Sequence, residues 1–151
     1  MNERYIRQTM IPEIGEAGQE KLKNAKVLIV GIGGLGSPIS LYLTAAGVGQ
    51  IGLIDDDIVS KSNLQRQILY TEAEIGQSKV ECACRRLSAL NSSTRFETYP
   101  NRFTPDNANR LVSAYDIIVD GCDNAATRYL IDDVCSRFKK PYVYGSISDF
   151  R

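Results

Sequence analysis

The run "KVLIVGIGGLG", residues 26–36, restricts the fold of this chain more than any other stretch. "KVLIV" is a continuous apolar run of the kind that forms a strand buried on both faces. The turn that follows carries Gly31, Gly33 and Gly36 in G-x-G-x-x-G spacing. Glycines there permit a tight turn and a close approach of phosphate or ribose to the backbone. The helix they open directs unpaired N–H groups at negative charge. Pro38 suits the first turn of that helix, where its missing N–H costs nothing. Asp55 stands 24 residues after Gly31, at the end of the next apolar run, where a carboxylate meets ribose hydroxyls in such folds. These features imply a nucleotide site and leave NAD, FAD and ATP open.

Further apolar runs, "QIGLI" (50–54), "DIIV" (116–119) and "PYVYGSI" (141–147), predict three more strands, and "TRFETY" (94–99) a weaker one. Between them, apolar residues recur at steps of three and four. One series after Ser78 comprises Val80, Ala83, Cys84, Leu87 and Leu90; a second comprises Leu130, Ile131, Val134, Cys135 and Phe138. Strands alternating with one-sided helices imply right-handed crossovers and a sheet covered on both faces. The predicted fold is α/β, doubly wound and mostly parallel, Rossmann-like, with residues 1–151 in one domain. Arg151 directly follows the last predicted strand with no helix behind it, so a shortened chain is expected.

Charge narrows the partners. Lys plus Arg and Asp plus Glu both number 18, with no histidine. A net charge of zero weighs against a bulk grip on nucleic acid or an anionic bilayer while leaving room for a local cationic pocket. The N-terminus "MNERYIRQTM" lacks the apolar core of a signal peptide, and no apolar run approaches a membrane span. The reading is cytoplasmic, with no membrane partner. Cys82, Cys84, Cys122 and Cys135 include no CxxC pair, and a spacing of two puts Cys82 and Cys84 on nearly opposite helix faces. Small buried thiols are expected rather than structural zinc or disulfides.

The segment behind Asp55 separates the nucleotides. A dinucleotide site needs little cationic machinery there, yet "SNLQRQ" (62–67) and "GQSKVE" (76–81) supply Asn63, Arg66 and Lys79. Asn63 offers an amide, Arg66 a planar fork for two phosphate oxygens, and Lys79 a compact charge at a helix start. Leu64 and Ile68 are expected to anchor the segment in the core. "DGCDNAATR" (120–128) adds Asp123 at the C-terminal end of a strand, where it suits Mg2+ beside phosphates. Asp123 or Asn124 equally suits the N-cap of the next helix, and Asn63 or Ser62 the cap of a short one.

Taken in order, "RYIRQ", "GIGGLG", "DDDIVSKSNLQRQ", "GQSKVE" and "DGCDNAATR" resemble the MoeB/ThiF/HesA family, bacterial relatives of ubiquitin-activating enzymes. The resemblance runs along essentially the whole chain. It implies an ATP-binding adenylation domain that in other members continues past this length. It also implies an adenylyltransferase that uses ATP and Mg2+ to activate the C-terminal carboxylate of a small ubiquitin-fold sulfur-carrier protein ending in Gly-Gly. On that basis Gly34 and Asp55 are adenosine contacts, Asn63, Arg66 and Lys79 face the phosphates, and Asp123 holds the metal. Arg7 resembles an arginine that completes the neighbouring subunit's site, which implies a homodimer. Zinc cysteines and a reactive cysteine belong to the part of the family beyond this length, so none is assigned here.

Three other readings are open. A relative activates a carboxylate in tRNA modification, although "RYIRQ" weighs against it. A non-catalytic partner subunit is opposed by the intact polar set. An NAD-dependent dehydrogenase has only the glycine turn and Asp55 in its favour.

Overall fold

The computed structural model describes residues 2–148; Arg151, and with it the chain's end, lies outside the described residues. Five strands form one sheet in the order β3-β2-β1-β4-β5, and every pair is parallel. They are β1 (Lys26–Val30), β2 (Gln50–Ile54), β3 (Arg95–Tyr99), β4 (Ile117–Asp120) and β5 (Tyr142–Tyr144). The connecting helices are α3 (Gly36–Ala46), α4 (Lys79–Leu90), α5 (Pro105–Ala114) and α6 (Ala125–Phe138), preceded by α1 (Ile6–Thr9) and α2 (Gly15–Asn24). The expected doubly wound α/β architecture is therefore present.

Side-chain alternation along β1 divides the core. Val27 and Ile29 join Ile51, Leu53, Val80 and Leu87 on one face, while Leu28 and Val30 join Ile118, Leu111, Ile131 and Val134 on the other. Each strand in the middle of the sheet thus buries both sides, which explains the uninterrupted apolar runs. Two predicted details differ. The last strand stops at Tyr144 rather than 147, because its partner β4 ends at Asp120, opposite Tyr144. In α4 the inward residues are Val80, Cys82, Ala83 and Leu87, with Cys84 only half-buried, so the stripe lies slightly round the helix from its expected position.

Chain order reverses between β1 and β4: β1 continues outward to β2 on one side and the chain returns to β4 on the other. Such a switch point opens a crevice at the carboxyl ends of the strands. At the opposite end of the sheet, α1 and α2 seal the C-terminus of α3. Gln8 and Gln19 both donate their Nε2 amides to the Ala46 carbonyl at 3.0 Å, and Asn91 reaches Tyr5 Oη at 2.8 Å. No helix among the described residues is long and apolar enough to cross a membrane.

Candidate active site

A cleft of about 900 Å3 opens at the carboxyl ends of the strands. Its floor is the glycine turn. Gly31 has φ +90°, and a Cβ there would lie 3.0 Å from the Cys122 backbone, so glycine is required both by conformation and by contact. Gly36 does not line the cleft; a side chain on it would collide with the Gly31 carbonyl, so it serves the close packing of turn and helix. Gly33 and Gly34 do line the cleft. Arg66 lies across Gly34, with its Cδ 3.5 Å from where a Cβ would stand.

The sequence-predicted residues converge here with two exceptions. Gly31, Gly33, Gly34, Asp55, Asn63, Arg66, Lys79 and Asp123 all line the cleft; Gly36 and Arg7 do not. Arg7 lies exposed on α1, at the far end of α3. With 11 residues in α3, that is roughly 16 Å from the glycine turn. It does not reach the cleft of its own chain.

Asp55 and Asn63 are each held by definite contacts. Asp55 at the end of β2 accepts from the backbone N–H of Ile32 and of Asp57, both at 2.8 Å, which ties the strand end to the glycine turn. A carboxylate has about four acceptor sites, so this leaves capacity for hydroxyl donors. Asn63 ends a 3-10 turn (Lys61–Asn63) capped by Ser60, and its Oδ1 accepts from Ser60 N at 3.1 Å and Ser60 Oγ at 2.8 Å. Neither Ser62 nor Asn63 is the N-cap: Asn63 closes the capping box from the third helical position, which leaves its Nδ2 without a partner among the described residues. Ile68 does not anchor this segment; it is 64% exposed, and Leu69, with Leu64 partly buried, packs into the core instead. An irregular segment has no fixed period, so its inward residue is shifted by one from the expected position.

The charges on the rim are unevenly paired. Lys79, the first residue of α4, is 96% buried as its 4% exposure shows, and its Nζ lies 2.9 Å from Asp57 Oδ2. Partial burial pushes the Asp57 carboxyl up, but the hydrogen bonds from Lys79 and the Ile58 backbone outweigh it and hold the group below its ordinary range. Arg102 meets Asp56 at 3.5 Å, and Arg128 meets the fully buried Asp120 at 3.1 Å. Among the described residues Arg66 pairs with no carboxylate; its Nη1 donates to Ser62 O and Gln65 Oε1. Asn124 takes the N-cap of α6, with its Oδ1 accepting from Thr127 N at 3.2 Å. Asp123 is thus released from capping and presents an exposed carboxylate to the cleft.

Sequence reasoning missed several lining residues. Gln67 is buried and lines the cleft, and its Oε1 has no partner among the described residues. Its place in "SNLQRQ" was visible, but its orientation was not. Arg128, which also lines the cleft, and its partner Asp120 behind it were missed because their pairing joins the end of β4 to the first turn of α6. Cys122 lines the cleft, but burial and its hydrogen bond with Asp120 push the thiol up to about 11, so it is a poor nucleophile. The chemistry this cleft can perform is therefore positioning and charge neutralisation.

A glycine turn at the switch point of a parallel sheet, under a rim where the Arg66 guanidinium meets no carboxylate among the described residues, defines a doubly wound α/β domain of nucleotide-binding architecture. Within that class the chain belongs to the ThiF family, which it matches over residues 5–151. It is 48% identical over 148 residues to the sulfur carrier protein adenylyltransferase of Thermus thermophilus, covering 98% of this chain and 55% of that protein. Among solved structures, E. coli MccB with ATP superimposes with a TM-score of 0.88 at 33% identity, over 99% of this chain and 47% of that one. E. coli tRNA N6-threonylcarbamoyladenosine dehydratase, TcdA, in complex with ATP gives 0.87 at 30% identity, over 96% and 62%. The chain thus spans about half the length of the first of these proteins and less than two thirds of the others.

Proposed function

We propose that residues 1–151 are the ATP-binding adenylation domain of an enzyme that activates the C-terminal carboxylate of a small ubiquitin-fold sulfur-carrier protein. The observation that carries this reading is the convergence of Asn63 and Arg66 from the connection between β2 and α4, Lys79 at the start of α4 and Asp123 from the loop after β4 over one glycine floor. The likeness to the Thermus sulfur carrier protein adenylyltransferase supports the substrate class. Two structural neighbours bound to ATP support the nucleotide.

In this reaction a carboxylate oxygen attacks the α-phosphorus of ATP. The bond from that phosphorus to the oxygen bridging to the β-phosphate breaks, and pyrophosphate leaves with the electron pair. The product is an acyl-adenylate, a mixed anhydride. No proton needs to be moved, which suits a cleft without histidine. What the protein supplies is alignment and countercharge. Arg66 and Lys79 balance charge on the phosphates, and Asn63 donates from Nδ2. Asp55 accepts from ribose hydroxyls, with Gly34 allowing the nucleoside to approach the backbone.

Asp123 would hold Mg2+. A single free carboxylate suits that ion, which is commonly bound through one or two carboxylates plus substrate phosphates and water. When bound, magnesium neutralises charge on the departing pyrophosphate. Arg7 reaches the site only from a second copy of the chain, since its own cleft is at the other end of α3. The assembly proposed is a homodimer in which each Arg7 serves its neighbour.

A second reading, ATP-dependent activation of a carboxylate in tRNA modification, is favoured by the likeness to TcdA. One experiment addresses both. In a chain extended to the length of its relatives, carrier protein should support exchange of labelled pyrophosphate into ATP, and Arg66→Ala should abolish most of it. Exchange that needs tRNA rather than a carrier selects the second reading. Exchange unaffected by Arg66→Ala refutes the assigned clamp.

A further inference from the structure

The peptide units on either side of Cys122 are held by one ion pair, and Asp123 is attached directly to the second of them. Asp120 Oδ1 accepts from the Cys122 N–H at 3.0 Å. Arg128 Nε donates to Asp120 Oδ2 at 3.1 Å, and Arg128 Nη2 donates to the Cys122 carbonyl at 3.3 Å. That carbonyl belongs to the Cys122–Asp123 peptide bond. The same Nη2 also donates to the Gly145 carbonyl at 3.0 Å, and the guanidinium lies 5.3 Å from the centre of the Tyr144 ring.

This arrangement exceeds what packing requires. The Asp120 carboxylate is fully buried while its arginine is half-buried and lines the cleft. A buried ion pair is weak in net stabilisation, but its fixed donor fork imposes geometry on whatever it touches. What it touches is the loop between β4 and α6 and the segment after β5, both of which line the cleft. Neither stretch belongs to a strand or helix that would fix it otherwise. Lysine has one donor centre and cannot span Asp120, Cys122 and Gly145 together.

We infer that Arg128 is a positioning residue: with Asp120 it splints Cys122 so that the Asp123 carboxylate points at the cleft in the orientation that metal-bound nucleotide needs. The inference rests on the proposed role of Asp123. It separates from that role because it concerns how the carboxylate is aimed rather than whether it binds metal.

The test is calorimetric titration of the 151-residue chain with ATP, with and without Mg2+, in wild type, Asp123→Asn and Arg128→Lys. Amide hydrogen exchange at residues 121–124 is followed in parallel. The wild type should gain affinity when magnesium is added. Arg128→Lys should lose about tenfold of that gain, bind magnesium-free ATP as wild type does, and show faster exchange at Cys122, whose N–H is held by Asp120. Adding it to Asp123→Asn should cause no further loss. Should Arg128→Lys fail to fold with Asp120 left unpaired, the neutral double variant Asp120→Asn/Arg128→Gln must give the same result. A magnesium gain lost in Asp123→Asn but kept in Arg128→Lys or the double variant overturns this inference alone. Equal weakening with and without magnesium also overturns it. A wild type with no magnesium gain overturns the role of Asp123 and this inference with it.

Discussion

Lys79 is the residue whose functional and structural roles can be separated most cleanly. Its side chain is 5% exposed, whereas its partner Asp57 is 59% exposed. Replacing Lys79 with methionine keeps the buried stem and leaves Asp57 in water, where its charge is solvated. The cost to folding should then stay below about 1 kcal/mol, the scale of ion pairs open to solvent, because the charge left behind is a solvated one. Lys79→Ala removes three buried methylenes as well and should cost roughly 2.5 kcal/mol. Binding should respond differently. A hydrogen bond to a charged group is worth about 1.5–3 kcal/mol, so both variants should bind ATP about 10- to 150-fold more weakly. Asp57→Asn should bind ATP at least as well as wild type, because it frees the ammonium. Urea unfolding measures the first quantity and calorimetric titration the second. If Lys79→Met keeps ATP affinity within about twofold, Lys79 is merely the partner of Asp57 and the phosphate role is wrong.

Other consequences follow from single contacts. Gly36→Ala should destabilise the chain by about 1–3 kcal/mol or prevent folding, since its Cβ would meet the Gly31 carbonyl, and a urea melt indistinguishable from wild type would contradict the turn geometry. Cys122, pushed up to about 11 from an ordinary 9.0, should carry roughly 100-fold less thiolate at pH 8 than an ordinary thiol. Mass-spectrometric alkylation should therefore find it slow to react, and slower still with ATP present. The Asp57 carboxyl is held below its ordinary 3.8, so its contribution to stability is complete above that value and lost as pH falls through the lower folded value. Asp57→Asn should flatten that part of the acid limb of a stability–pH profile; an unchanged limb would count against the Lys79 contact.

What could be read from the sequence was local. The strand–glycine–helix unit from Lys26 to Ala46 has its signal in contiguous residues, and β1 and β2 matched their apolar runs because strands buried on both faces admit few polar residues. The rim was legible only as a set of chemically suitable residues. That Lys79 would pair with Asp57, 22 positions away, depends on an isolated bridge between Ile58 and Ser78 that brings the two segments together. The Asp120–Arg128 splint was hidden for a similar reason: one member ends a strand, the other lies in the first turn of a helix, and the loop between them has no period. Ile68 and Leu69 are both apolar, and only the tertiary fit selects Leu69 for burial.

The ligand of this cleft is tested most directly by paired titrations of the chain with ATP–Mg2+ and with NADH. The arrangement of Asn63, Arg66, Lys79 and Asp123 predicts saturable ATP binding that Arg66→Ala weakens at least about tenfold, with NADH binding weaker. Tighter binding of NADH, or ATP binding indifferent to Arg66→Ala, would contradict it.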